Sequence, residues 1–68
     1  MIDPIVYLDD HRFVEAQFQG GNQLYLVGAN GKDAIVIDVS EETFRALRRD
    51  PSSDSIDRIL NSHHWEFV

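Results

Sequence analysis

The sequence predicts a small α+β protein, an antiparallel β-meander of three to four strands packed on one face by two short C-terminal helices. Runs rich in β-branched and aromatic residues, separated by glycine-containing turns, occupy the first forty residues. After residue 40 the apolar residues recur at helical spacing instead. A chain of 68 residues has room for one small core, so we expect a single domain over residues 1–68.

The central hairpin has the clearest signal. Two β-rich runs, residues 24–27 and 34–39, flank Asn30-Gly31, a pair suited to the positive φ angles of a two-residue type I′ turn. This turn predicts four cross-strand pairs, two on each face of the sheet: Leu24 with Ile37 and Leu26 with Ile35, then Tyr25 with Val36 and Val27 with Ala34.

A second hairpin is predicted at Gly20-Gly21-Asn22, after an alternating run over residues 13–19. A three-residue loop pairs Phe18 with Leu24 and extends the face that carries Leu26. A two-residue loop would oppose Phe18 with Tyr25 instead and mix the two faces, so we prefer the three-residue loop. Residues 5–8 form a short first strand, followed by a polar turn over residues 9–12.

Ser40 is predicted to cap the first helix, because a serine before Glu41 and Glu42 satisfies free backbone N–H groups while the acids oppose the helix dipole. Phe44 and Leu47 form its apolar stripe. Asp50-Pro51 ends it, since the residue before a proline is disfavoured in the α conformation.

A second short helix begins at Ser53 or Asp54 and carries its apolar stripe at i, i+3, i+4 and i+7: Ile56, Ile59, Leu60 and His63. The segment Trp65–Val68 is either an extra C-terminal strand or an apolar tail packed on the core.

Strict alternation along the strands predicts an unusually apolar outer face of the sheet. Val14 and Phe18 fall on the side covered by the helices. The outer side carries four apolar residues rimmed by polar ones: Phe13, Tyr25, Val27 and Val36, with Glu15, Gln17, Gln19 and Asp38 around them. Either the N-terminal segment (Ile2, Ile5, Tyr7) or the tail Trp65–Val68 covers this face, or it is free to bind a partner.

Composition excludes several classes of function. Twelve acids against six bases give a net charge of −6, which repels nucleic-acid phosphate. The absence of cysteine excludes disulfides and thiolate zinc sites. No signal peptide or membrane-spanning run is recognisable, so a cytoplasmic location is expected.

No catalytic residue, cofactor or metal site is predicted. The serines lie where helix capping explains them, and the acid pairs Asp9-Asp10 and Glu41-Glu42 lie in a turn and at a helix start. The three histidines, His11, His63 and His64, leave a metal- or small-ligand-binding domain as one alternative.

The function predicted from these patterns is that of a non-enzymatic, acidic protein-binding module. We expect it to regulate or inhibit a basic protein, with a nucleic-acid-handling enzyme as one kind of target. Antitoxins, immunity proteins and phage-encoded inhibitors share this size and charge. A homo-oligomeric subunit, such as a homodimer, is the alternative, and direct nucleic-acid or membrane binding is not expected. The partner-binding residues predicted are four apolar and four acidic ones: Phe13, Tyr25, Val27, Val36, Asp9, Asp10, Glu15 and Asp38.

Overall fold

The computed structural model describes residues 5–68, so Ile2 and Asp3 lie outside the described part of the chain. Within that part, five strands form one antiparallel sheet in the order β1-β2-β3-β4-β5. The predicted α+β fold is confirmed, and both the fourth meander strand and the extra C-terminal strand are present. The elements, in chain order, are β1 (Ile5–Tyr7), β2 (Phe13–Gln19), β3 (Gln23–Gly28), β4 (Ala34–Asp38), α1 (Glu41–Arg49), α2 (Ser53–Ser62) and β5 (Trp65–Phe67).

Both predicted hairpin registers are confirmed. Phe18 pairs with Leu24 across the three-residue loop of the first hairpin. Leu24 in turn pairs with Ile37, and Tyr25 with Val36, across the second hairpin. A slip of one residue would move each core side chain to the other face, so these two registers decide which side chains are buried.

The turn at Asn30-Gly31 differs from the predicted type I′ turn, although it gives the same register. Gly31 has a positive φ of 74°, whereas Asn30 does not. The Gly28 N–H donates to the Asp33 carbonyl oxygen at 2.7 Å, which leaves a four-residue loop over residues 29–32. The Asn30 side-chain oxygen accepts hydrogen bonds from the N–H groups of Lys32 and Asp33, at 2.9 and 3.1 Å. These side-chain bonds stabilise the longer loop.

A β-bulge at the start of β2 corrects the predicted positions of two residues. Phe13 pairs with Gly28 and Glu15 pairs with Val27, so Val14 is the extra residue between them. A bulge interrupts the alternation of faces. Phe13 therefore packs against the hydrophobic core and not on the outer face, and Val14 is 41% exposed and not buried under the helices.

The two helices begin and end close to their predicted positions. Ser40 caps α1, its hydroxyl oxygen accepting from the Thr43 N–H at 3.1 Å, and the helix ends before Pro51. Helix α2 begins at Ser53, one of the two predicted starts, and its cap is Ser52. Serine caps satisfy N–H groups that the first helical turn cannot satisfy itself.

The core lies between the helices and one face of the sheet, and the ring of Phe18 packs on that of Phe44 with 4.3 Å between centroids. Both helices are amphipathic and turn their apolar stripes toward this face. Ten apolar residues are buried there: Ala16, Leu24, Leu26, Ile35, Ile37, Val39, Phe44, Leu47, Ile56 and Ile59.

The loop between β1 and β2 is joined to the connection between the two helices. The Asp9 N–H donates to the Pro51 carbonyl oxygen at 2.7 Å, and the Ser53 hydroxyl donates to the Asp9 carbonyl oxygen at 3.2 Å. These bonds attach the first hairpin to the helical layer at a point distant in sequence.

In residues 5–68, α1 and α2 have nine and ten residues, and neither has the length or apolar character to cross a bilayer.

The bulge predicts unequal effects of truncating its two apolar side chains. Phe13→Ala removes a ring that packs on the core and should lower the free energy of unfolding by about 2 kcal/mol. Val14→Ala removes a largely exposed side chain and should cost less than about 1 kcal/mol. Urea denaturation of both variants measures the difference, and a Val14 variant that is the less stable of the two would contradict the bulged register.

Candidate protein-binding surface

The side of the sheet opposite the helices, hereafter the outer face, has an apolar centre. Tyr25 lies between Gln17 and Val36, and in the next row Val27 lies between Glu15 and Ala34. The apolar centre consists of four half-buried residues, Tyr25, Val27, Ala34 and Val36. The sheet registers thus bring together three of the four apolar residues predicted to bind a partner.

The rim of the outer face is acidic. Glu15 lies beside Val27, Glu66 of β5 lies opposite Val36, and Asp38 is exposed at the end of β4. The Gln17 amide donates to the Glu15 carboxylate at 3.3 Å, which extends the polar rim along β2. Among the described residues, the outward-facing strand positions include three carboxylates and neither lysine nor arginine. This face therefore has a negative potential around an apolar centre.

Within residues 5–68, neither predicted cover folds over the apolar centre of the outer face. The segment Trp65–Phe67 is an edge strand in the plane of the sheet, paired with β4. Ile5 and Tyr7 belong to the opposite edge strand, paired with β2. Tyr7 is 77% exposed, and its register beside Glu15 places it on the outer face as an aromatic residue absent from the predicted set. Ile2 lies outside the described residues.

Asp9 and Asp10 do not join the rim, contrary to the prediction for them. Both lie in the β1–β2 loop, which contacts the helical connection and not the outer face. The Asp10 side chain has no exposed surface and accepts hydrogen bonds from the backbone N–H groups of Arg12 and Phe13, at 2.7 and 3.3 Å. Asp10 is therefore a structural residue, because a buried carboxylate that is fully engaged adds little to the attraction of a partner.

Arg12 links Asp10 to α2. Its guanidinium donates to the Asp10 carboxylate through Nε at 3.2 Å and Nη2 at 2.9 Å, and Nη2 also donates to Asp57 of α2 at 2.6 Å. These bonds hold the pKa of Asp10 well below its ordinary value of 3.8. The hydrogen bonds from Arg12 to Asp10 and Asp57 raise the pKa of Arg12 in turn. We call Asp10, Arg12 and Asp57 the charge cluster.

A groove of about 380 Å³ lies on the helix side of the sheet, next to β5. Trp65, 38% exposed, and Phe67, 75% exposed, form one wall, with their rings edge to face at 5.8 Å. Phe13 and Leu60 line it as well, and Arg12 of the charge cluster contributes to its lining. We call this feature the aromatic groove. The sequence predicted either a strand or a packed tail for Trp65–Val68. The alternation of two aromatic residues about an acid favours the strand, with both rings on one side.

The histidines are separated in the structure. His63 is the C-cap of α2, with its ring Nδ1 3.2 Å from the Ile59 carbonyl oxygen, and His11 lies in the β1–β2 loop. Within residues 5–68, no three His, Cys, Asp or Glu side chains are grouped so as to hold a metal ion.

Comparison of the chain with models of protein families, with curated proteins and with solved structures finds no match. The functional interpretation therefore depends on the chemistry of the outer face and of the aromatic groove.

The charge cluster predicts that Asp10→Asn lowers the free energy of unfolding by about 2 kcal/mol, because it removes one of the two negative partners of a part-buried guanidinium. Asp9→Asn is the matched control. The Asp9 side chain is exposed and its fold contacts are made by its backbone, so its replacement should change stability by less than about 0.5 kcal/mol. Equal losses in the two variants, measured by urea denaturation, would contradict the structural role of Asp10.

The same cluster makes stability depend on pH. Because the pKa of Asp10 is lower in the folded than in the unfolded protein, its contribution is present above the ordinary value of 3.8 and is lost as the pH falls below it. The stability difference between wild type and Asp10→Asn should therefore shrink between about pH 6 and about pH 2. A difference that stays constant across this range would show that the Asp10 charge does not stabilise the fold.

Proposed function

We propose that the protein is a non-enzymatic binding module that holds a basic protein partner against its outer face. The observation that carries this proposal is the apolar centre enclosed by an acidic rim. An antiparallel sheet that packs helices on one side ordinarily alternates toward a polar second side. On this sheet the centre of the second side is apolar instead and consists of Tyr25, Val27, Ala34 and Val36.

The outer face has the composition of a binding interface. Interfaces combine an apolar core that contains aromatic residues with a polar rim that remains in water. Tyr25 supplies an aromatic anchor within the apolar centre, and Tyr7 supplies a second one at the edge. The sheet also presents these side chains on a rigid support, which lowers the entropy cost of binding.

The acidic rim favours a basic partner. The net charge of the chain is −6, and three of its acids lie on the rim: Glu15, Asp38 and Glu66. Their negative electrostatic potential accelerates encounter with a positively charged surface. The same charges disfavour a homodimer through this face, because each rim would meet acids of the other copy. A regulator or inhibitor of a basic, nucleic-acid-handling protein in the cytoplasm is the role we propose, as in antitoxins, immunity proteins and phage inhibitors.

The engagement of Asp10, Ser40 and Ser52 in the fold supports a non-enzymatic role. Asp10 is fully hydrogen-bonded to Arg12 and the backbone, and the hydroxyl groups of Ser40 and Ser52 cap helices. Side chains committed in this way are poor general acids, bases or nucleophiles, since catalysis needs a group free to exchange a proton with a substrate.

Variants of the apolar centre test the binding surface. After a partner is captured from the native host and purified, Val36→Asp and Tyr25→Ala should each weaken its binding by about tenfold or more. Ala46→Asp places the same new charge on the exposed side of α1 and should leave the Kd unchanged. Circular dichroism confirms that each variant is folded. Unchanged affinity in both folded outer-face variants would exclude this surface.

Charge reversal tests the role of the rim separately. Asp38→Lys should lower the association rate constant by severalfold at low salt, and added salt should reduce the difference from wild type. Glu42→Lys makes the same change of charge at the first turn of α1, in the helical layer, and should have a smaller effect. Stopped-flow kinetics at two salt concentrations measures both, and equal effects would assign steering to net charge alone.

A further inference from the structure

The hydrogen-bond pattern of the sheet determines which backbone groups β5 presents at its open edge. The Val68 N–H donates to the Ala34 carbonyl oxygen at 3.1 Å, so Ala34 and Val68 form a hydrogen-bonded pair. Such pairs alternate along an antiparallel ladder, which makes Val36 and Glu66 the next one. The N–H and C=O groups of Trp65 and Phe67 therefore point away from β4, toward the edge at which the described sheet ends.

The same two residues supply exposed aromatic side chains on one side of the strand. Trp65 and Phe67 form a wall of the aromatic groove on the helix side, and Phe67 is three-quarters exposed. Natural edge strands are commonly protected by short length, charged side chains, proline or a bulge. Strand β5 has three residues and carries the charged Glu66, but it has no lysine, proline or bulge.

We propose that the edge of β5 binds an extended segment of a basic protein, which pairs with Trp65 and Phe67 as an additional antiparallel strand. The alternation of β5 defines the segment as apolar-basic-apolar. Its apolar side chains pack on Trp65 and Phe67 at the aromatic groove, and the intervening lysine or arginine lies beside Glu66. Strand addition of this kind takes affinity from main-chain hydrogen bonds and specificity from alternate side chains.

The charges near β5 favour a basic segment over an acidic one. Glu66 is the central side chain of β5 and lies on the side of the strand where the intervening basic residue is placed. Asp33 lines the aromatic groove, on the other side of the sheet. The cation that lines the groove, Arg12, is already paired with Asp10 and Asp57. A basic side chain opposite Glu66 therefore meets a carboxylate that forms no ion pair within residues 5–68, whereas an acidic one is repelled.

A second copy of the chain fits this edge poorly. The antiparallel register that uses all three residues of β5 places Glu66 directly opposite Glu66 of the other copy. Like charges directly opposite each other across a ladder are destabilising. The net charge of −6 on each copy adds to the repulsion.

The β5 site is separate from the apolar centre of the outer face and does not require that face to bind anything.

The probe is a seven-residue peptide of alternating lysine and valine or leucine, with blocked ends, titrated into the ¹⁵N-labelled protein. We expect chemical-shift changes centred on the Trp65 and Phe67 amides, and exchange of those amides with solvent slowed by about tenfold or more. The same peptide with glutamate for lysine should not bind. N-methylation of the peptide nitrogens that face β5 should abolish binding, because it removes the main-chain donors.

Phe67→Ala and Tyr25→Ala separate this site from the outer face, whereas Glu66 belongs to both and tests the charge preference of the peptide. Glu66→Lys should weaken the lysine peptide by about tenfold and permit the glutamate peptide to bind. Phe67→Ala changes a largely exposed side chain and should weaken the lysine peptide while the fold is retained. Tyr25→Ala, on β3, should leave peptide affinity unchanged.

Three results would overturn the proposal: unchanged Trp65 and Phe67 amides at saturating peptide, equal affinity for the N-methylated peptide, or a dimer paired through β5 in the absence of peptide. Sedimentation velocity detects the last of these. Shifts confined to the apolar centre would likewise overturn the β5 site while supporting the outer face.

Discussion

The burial of one sheet face beneath two short helices is the interaction on which the rest of the structure depends. Helices of nine and ten residues are marginal in water on their own, and α1 and α2 are stabilised by the side chains that they bury against β3 and β4. The sheet in turn needs this cover, because an isolated antiparallel sheet has no hydrophobic interior. Both helices lie on one side of the sheet, and within residues 5–68 no helix covers the apolar centre of the outer face.

The charge cluster secures the sheet to that cover. Asp10 fixes the β1–β2 loop by accepting two backbone hydrogen bonds, and Arg12 connects this loop to Asp57 of α2. The bonds between Asp9 and the residues that join α1 to α2 act at the same place. The edge hairpin is therefore attached to the helical layer by polar contacts in addition to the packing of Ala16 and Phe18 on the core. The Asp10 carboxylate, which the sequence predicted to bind a partner, is used for this attachment.

Local patterns predicted most of the fold because its main determinants are local. The glycines of the first hairpin, the alternation of β3 and β4, and the serine caps each specify structure within a few residues. The bulge was not predictable in the same way, since two adjacent apolar residues, Phe13 and Val14, are compatible with either face. Tyr25, Val27 and Val36 were placed correctly because they follow from the hairpin register.

One error, at Asp10, and one open alternative, at Trp65–Val68, concern contacts between residues distant in sequence, whereas the turn at Asn30-Gly31 differs for a local reason. The role of Asp10 depends partly on Asp57, which is brought near by the packing of α2 on the sheet. The position of Trp65 and Phe67 depends on whether the chain after α2 returns to the edge of β4. In the second hairpin, the Asn30 side chain stabilises a loop that differs from the one its dipeptide favours. Alternation and residue propensity do not predict the first two contacts, because they depend on tertiary packing. They also do not predict the hydrogen bonds that the Asn30 side chain makes within its loop.

Hydroxyl-radical footprinting of the protein bound to its captured partner tests the central claim most directly. The two tyrosines of the chain, Tyr7 and Tyr25, both lie on the outer face, and the one tryptophan, Trp65, lies at the aromatic groove. We predict that the partner slows the oxidation of both tyrosines relative to the free protein. Oxidation of both tyrosines at the rate of the free protein, with the partner bound at saturation, would contradict the assignment of the outer face as the binding surface.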